Sequence, residues 1–364
     1  MQLKTPGGIE RFISTIANLL SMKYQVEIVA NYGKPSEKLA FPLLDSIKLS
    51  FLTDTKPSEI SMKNLIFTFK WLQIPSELKR RHLINRTRTR VFKNYLSKLR
   101  TDCIITDREI YNSLVSKYYN GKSTKIATDH NFHQYNQAYI SKLLSSIKKF
   151  DYLVLATKAL KDYYTPRTTT KCVQIPNPLP FISTQKSTLS NHNLISIGRL
   201  VPEKDFITLI DVFSKVSKVI PDAHLTIIGD GPEKQKIKEA ISEKGINKNQ
   251  ITLTGTLSQA EIANYLLDSS LYVMTSTTEA FGLVLTESMN YGVPCIALSR
   301  ASGAKAQLSN NIGILVDSPT EMTKAIINVL SNPSILKNYQ NRINKKISDY
   351  SPDSILKDWE RIIR

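Results

Sequence analysis

Cysteine is scarce: three in 364 residues, Cys103, Cys172 and Cys295, far apart and each in or beside an apolar strand-like run. That spacing offers neither a disulfide framework nor a metal-ligand set, so the three read as reduced core residues. No apolar run approaches 18 residues and no N-terminal stretch reads as a secretion signal, so neither a membrane span nor export is predicted. The expectation is a cytoplasmic protein. Acids are in deficit as well, with 31 Asp plus Glu against 49 Lys plus Arg and a net charge of +18. The deficit is uneven: residues 1–180 carry 29 − 13 = +16 and residues 181–364 carry 20 − 18 = +2. A field of that sign attracts an anionic membrane face, a phosphate-bearing polymer or nucleic acid. An apolar fraction of 41% and a charged fraction of 22% exclude a disordered chain, and the length suits two domains, each with its own core.

The most informative stretch lies at residues 276–289. Leu271-Tyr272-Val273-Met274 has the length and composition of a buried strand, and a polar loop and a helix pattern follow it. Phe281, Leu283, Val284, Leu285 and Met289 supply the apolar positions of that helix; Glu279 falls in the loop and Glu287 about two turns in. In an open α/β sheet, ligands bind outside the carboxyl ends of the strands, where helix N-termini attract anions and hydroxyl oxygens. Two acids there suit a hydroxyl-rich ligand, although a loop acid and an exposed helix acid give the same spacing. Upstream, a strand at 193–197 leads through Gly198-Arg199 to Glu203-Lys204 and a helix over about 205–219. The guanidinium fork of Arg199 and the mobile ammonium of Lys204 are placed to neutralise a diphosphate; the alternative is two ordinary surface charges. The next strand ends in Gly229-Asp230-Gly231-Pro232, where both glycines are expected to take φ above zero and Pro232 the first helical position.

The first half reads less regularly. Gly7-Gly8 permits a tight turn before a helix carrying Phe12, Ile13, Ile16, Leu19 and Leu20, and strands are expected at 24–30, 47–52, 103–106, 124–128 and 151–157. His130 follows one strand end, with Asp129 and His133 as open alternatives and a structural histidine as the plainer reading. Residues 62–72 are amphipathic with Phe67, Phe69 and Trp71, and residues 79–100 hold Arg86, Arg88, Arg90, Lys93 and Lys98 without one acid. A solvated charged face explains that run, and so does an anionic membrane surface at 62–100. The aromatics are not interleaved for base stacking, so nucleic acid is not expected. Pro176-Asn177-Pro178 and a polar linker mark the boundary between domains.

Thr278-Glu279-Ala280-Phe281-Gly282-Leu283-Val284-Leu285-Thr286-Glu287, followed by Met289-Asn290-Tyr291-Gly292-Val293-Pro294-Cys295, resembles the nucleotide-sugar site of retaining glycosyltransferases of the family 4 group (glycosyl transferases group 1). The Gly-Arg…Glu-Lys pattern, the Gly229 turn, the Pro-Asn-Pro hinge and the tail at 353–360 resemble the same family. The resemblance implies an α/β fold of two facing Rossmann-like domains (GT-B): an acceptor domain at 1–178, a linker at 179–192, a donor domain at 193–350, and a helix at 351–364 crossing back. By resemblance, Glu279 and the amides of Ala280, Phe281, Gly282, Leu283 and Val284 hold the donor sugar, and Glu287 the ribose hydroxyls. Arg199 and Lys204 face the leaving nucleotide, His130 faces the sugar, and Gly7, Gly8, Gly198, Gly229 and Gly231 complete the donor site. A UDP-sugar donor, a glycan or lipid-linked acceptor, and neither metal nor cofactor are implied. Two departures stand out. The apolar strand that usually precedes the Gly-Gly loop is missing, which suggests a late start codon or a truncated gene. Ser302-Gly303-Ala304-Lys305-Ala306 stands where relatives carry Gly-Pro and an acid, which leaves the base preference open. The expected activity is retaining sugar transfer for a surface polysaccharide or teichoic acid, at the inner membrane face. The alternatives are a sugar-nucleotide epimerase or phosphorylase, a non-catalytic partner subunit, and an anionic-polymer binder.

Overall fold

The computed structural model describes residues 7–34, 39–54, 73–130 and 136–363. The second half is built on one parallel sheet of six strands: β7 (Asn193–Ile197), β8 (His224–Ile228), β9 (Ile251–Gly255), β10 (Leu271–Met274), β11 (Cys295–Leu298) and β12 (Ile314–Val316). Their order is β12-β11-β10-β7-β8-β9. The central strands are apolar runs because helices cover both faces, as parallel sheets require, whereas the edge strand β9 alternates apolar and polar residues and is only partly buried. The order reverses between β7 and β10, so the loops leaving these neighbours diverge and open a crevice at their carboxyl ends. Both motifs that carry the candidate chemistry leave from that point, Gly198–Lys204 from β7 and Ser276–Gly282 from β10.

The first half holds two parallel sheets. β1 (Glu27–Ala30) pairs with β2 (Lys48–Phe51), and β3 (Cys103–Thr106), β4 (Thr124–Asp129), β5 (Tyr152–Leu155) and β6 (Lys171–Gln174) form a second sheet in that order. No strand among the described residues joins the two. The helix Gly8–Leu20 buries Phe12, Ile16, Leu19 and Leu20 at helical spacing against Ile126 and Val154. The same core takes in Ile355, Leu356, Trp359 and Ile362 from the C-terminal helix Pro352–Ile363, so the tail closes the first half's core. The Trp359 side chain is fully buried there.

Several expectations need correction. The helix after β10 is only Leu283–Asn290, and Phe281 lies in the loop before it, buried edge-on against Tyr350 with ring centroids 6.2 Å apart. Pro232 does not open a helix; the next one starts at Lys234, past a turn. Gly229 has φ +145° as expected, whereas Gly231 is not among the residues with positive φ. Its reason is space, since a Cβ there would lie 2.4 Å from the Leu200 carbonyl oxygen. The polar segment at 179–192 is strapped to the second half: Ser187 N–H donates to Tyr291 O at 2.8 Å and Gln340 Nε2 to Ser187 O at 2.8 Å. Its polar side chains satisfy buried backbone groups, which periodicity does not reveal. The basic run lies on the long helix Ile74–Lys98, anchored by buried Phe92 and Leu96 and by a buried acid, Glu77, which accepts from Arg81 Nε at 2.8 Å. The aromatic segment at 62–72 lies outside the described residues.

Candidate active site

The loop from β10 is held from two sides. Thr277 N–H donates to Glu203 O at 2.8 Å, tying it to the loop from β7. Gly303 N–H and Ser302 Oγ both donate to Glu279 O, at 2.7 and 2.9 Å. Ser302 and Gly303 start a helix, Ser302–Leu308, that pins the Glu279 backbone. Only glycine fits at 303: a Cβ would sit 2.8 Å from Phe281 backbone atoms. Gly282 takes φ +81° to cap the helix that carries Glu287, a left-handed conformation that a side chain would strain. The first N–H groups of a helix lack partners within it and are available to an anion or hydroxyl.

The Glu279 carboxylate accepts from Lys204 Nζ and, at 3.1 Å, from Ser276 Oγ. The Lys204 stem runs over Gly198, where a Cβ would meet its Cδ at 3.6 Å. The two loops of the switch point are therefore joined by one ion pair. Arg199 is exposed and has no ion-pair partner among the described residues. It lies in the same loop as Lys204, next to Gly198. Gly229 and Gly231 back this arrangement: a Cβ on Gly229 would lie 1.9 Å from Gly198 O. They shape the loop from β7.

Glu287 is almost fully buried, and burial pushes its carboxyl up while Arg11, from the first half, pulls it back down. Gly8 also meets the second half, with Leu283 Cδ1 3.7 Å from its would-be Cβ, and Gly7 caps the helix Gly8–Leu20 that carries Arg11. Phe12, one residue past Arg11, packs on the His130 ring with centroids 4.0 Å apart. One helix of the first half thus touches both the Glu287 element and His130. His130 Nε2 lies 3.0 Å from Thr128 Oγ1, and burial pushes the imidazole down to about 4, so it is neutral at physiological pH. Neighbouring Asp129 instead turns into the core, accepting from Tyr139 at 3.0 Å and Tyr164 at 3.2 Å. His133 lies outside the described residues. Among the described residues no three His, Cys, Asp or Glu are grouped to hold a metal.

Four residues take roles that the sequence did not assign them. Arg300 donates to Thr275 O at 2.6 Å and pairs with Asp205, the left-handed cap of the helix after Lys204, so it braces both loops. Ser302 and Gly303 hold Glu279, and only their small size hinted at a close approach. Arg11 had no signal beyond its place after Gly7-Gly8.

Comparison with known proteins agrees with this geometry. The glycosyl transferases group 1 family matches residues 184–348. The amylovoran biosynthesis glycosyltransferase AmsD of Erwinia amylovora is 26% identical, covering 99% of this chain and 97% of its own. The exopolysaccharide phosphotransferase SCO2592 of Streptomyces coelicolor is 24% identical over 98% of this chain, which spans 39% of that protein. Among solved structures, Anabaena Alr3699/HepE in complex with UDP and glucose superposes with a TM-score of 0.71 at 16% identity, covering 99% of this chain and 97% of that one. The chain is a glycosyltransferase built on the GT-B fold, and its residues 184–348 match the group 1 family.

Proposed function

We propose that the enzyme transfers a sugar, with retention at the anomeric carbon, from a UDP-sugar to a hydroxyl of a glycan, lipid-linked or part of a surface polysaccharide or teichoic-acid precursor. The observation that carries this reading is the Lys204–Glu279 pair at the switch point, with Arg199 exposed on the same loop. Arg199, Lys204 and the helix N–H groups would neutralise the diphosphate as it leaves, stabilising charge where it develops. Glu279 is committed to Lys204 and Ser276, so its role is to position sugar hydroxyls. The acceptor oxygen bonds to the anomeric carbon from the leaving-group side as the carbon–oxygen bond to phosphate breaks, and the hydroxyl proton passes to a phosphate oxygen. Glu287 takes the ribose hydroxyls, and His130, uncharged, faces the sugar. No metal enters this scheme, since the two cations supply the charge. A polysaccharide or glycan setting is supported by the relatives' names. UDP as the nucleotude carrier is supported by the ligand named for Alr3699/HepE.

A peripheral position on an anionic, cytoplasmic membrane face belongs to the same proposal. The helix Ile74–Lys98 exposes Leu78 and Leu83 among Lys79, Arg80, Arg86 and Arg90, the mixture that lets apolar groups enter an interface while cations meet lipid phosphate. Among the described residues no helix is long and apolar enough to cross a membrane. The test is incubation with labelled UDP-sugars with and without a lipid-linked glycan, in EDTA, with the product's anomeric configuration read by NMR. Acceptor-dependent release of UDP and an α-linked product from an α-linked donor are expected; an inverted product, or a requirement for added metal, would sink the scheme.

A further inference from the structure

Arg11 belongs to the first half, yet its side chain ends in the second. Its Nη1 lies 2.5 Å from Glu287 Oε1, its Nη2 donates to Gln259 Oε1 at 2.7 Å, and its guanidinium carbon is 5.9 Å from the centre of the Phe41 ring. Contacts with three separate segments hold a planar fork in one orientation. Both members of the ion pair are largely covered, at 17% and 9% side-chain exposure, so water screens the pair little. Glu287 Oε2 has no partner among the described residues. An arginine that only neutralised a buried acid would do best by engaging both oxygens, as bidentate pairs do. Here one oxygen is left over.

We propose that Arg11 is a positioning residue of the donor site supplied by the opposite half: it keeps Glu287 a carboxylate in one orientation, with Oε2 left to accept from a vicinal diol of the nucleotide. The inference rests on the reading of Glu287 as the ribose ligand. It adds that recognition of the diol requires the two halves together, whereas neutralisation of the diphosphate by Arg199 and Lys204 does not. Without Arg11, Glu287 is a buried acid with its counter-charge removed. Burial then favours its neutral form, and the remaining titratable groups around it, Tyr272 and Tyr291, supply no positive charge.

The experiment is calorimetric titration of the full chain with UDP, its 2′,3′-dideoxy analogue and inorganic pyrophosphate, for the wild type, Arg11→Ala, Arg11→Gln and Arg11→Lys. The wild type should prefer UDP over the dideoxy analogue by about tenfold or more, the scale of hydrogen bonds to a charged group. Arg11→Ala and Arg11→Gln should lose that preference while binding the dideoxy analogue and pyrophosphate as before, which also shows that the donor half is folded. Arg11→Lys, which keeps the charge without the fork, should recover part of it. A full preference in Arg11→Ala or Arg11→Gln would overturn the role of Arg11 and leave Glu287 as the ribose ligand. A wild type that binds both nucleotides alike would overturn the Glu287 reading, and this inference with it.

Discussion

The two halves share a strand-and-helix plan but spend their residues differently. The second half carries almost no net charge, forms one unbroken six-stranded sheet and places two cations and two acids at defined points around one switch point. The first half carries nearly all the excess positive charge, and its described strands fall into sheets of two and four. A small, hydroxyl-rich diphosphate needs a few groups held in register, which a continuous buried sheet provides. A diffuse positive surface can act through its field alone, without fixed geometry. The contrast teaches where rigidity is needed and where charge suffices.

The comparison breaks most severely at the element that links the halves. Trp359→Ala empties a fully buried site in the first half's core from a helix at the far end of the chain. A loss of about 3–5 kcal/mol is expected, read as one cooperative transition in chemical denaturation; two separate transitions would show that the halves do not depend on the tail. Next comes Lys204→Ala, which removes the cation joining the switch-point loops and should lower kcat by about 10²–10³, measured by UDP release. Gly303→Ala pushes a methyl into the Phe281 backbone and should cost about 1–3 kcal/mol with a raised KM for donor; an unchanged KM would mean that the Glu279 loop tolerates displacement.

Smaller effects sharpen the first half's side. Arg86→Gln with Arg90→Gln should weaken sedimentation with anionic vesicles by about 1 kcal/mol per charge, an effect that high salt erases, and leave binding to neutral vesicles unaltered. His130 offers a pH test. Its folded pKa is pushed down to about 4, below an unfolded value of about 6.5. The unfolded chain therefore takes up a proton that the folded one refuses, and stability falls as pH drops from about 6.5 towards 4. In His130→Gln that part of the acid sensitivity should vanish; a His130 resonance titrating near 6.5 by NMR would contradict the lowered imidazole pKa.

Much of the fold was legible because parallel strands buried on both faces are short apolar runs, and β10 and β11 lie where those runs lie. The Glu279 loop and the Glu287 helix were legible for the same reason, since a strand, a polar loop and a helix follow one another there. The extent of that helix was not. Phe281 has the apolar character of a helix position, but Gly282 in a left-handed conformation starts the helix after it.

Local chemistry in the sequence determined the strands, the glycine-bearing turns and the types of residue at the strand ends. Which of those residues meet is a matter of sheet order and of contact between the halves. The reversal between β7 and β10 brings Lys204 to Glu279 across 75 positions of chain, and one helix of the first half lays Arg11 against Glu287. No periodicity records such pairings, because an ion pair between distant segments depends on where the backbone carries them and leaves no local pattern.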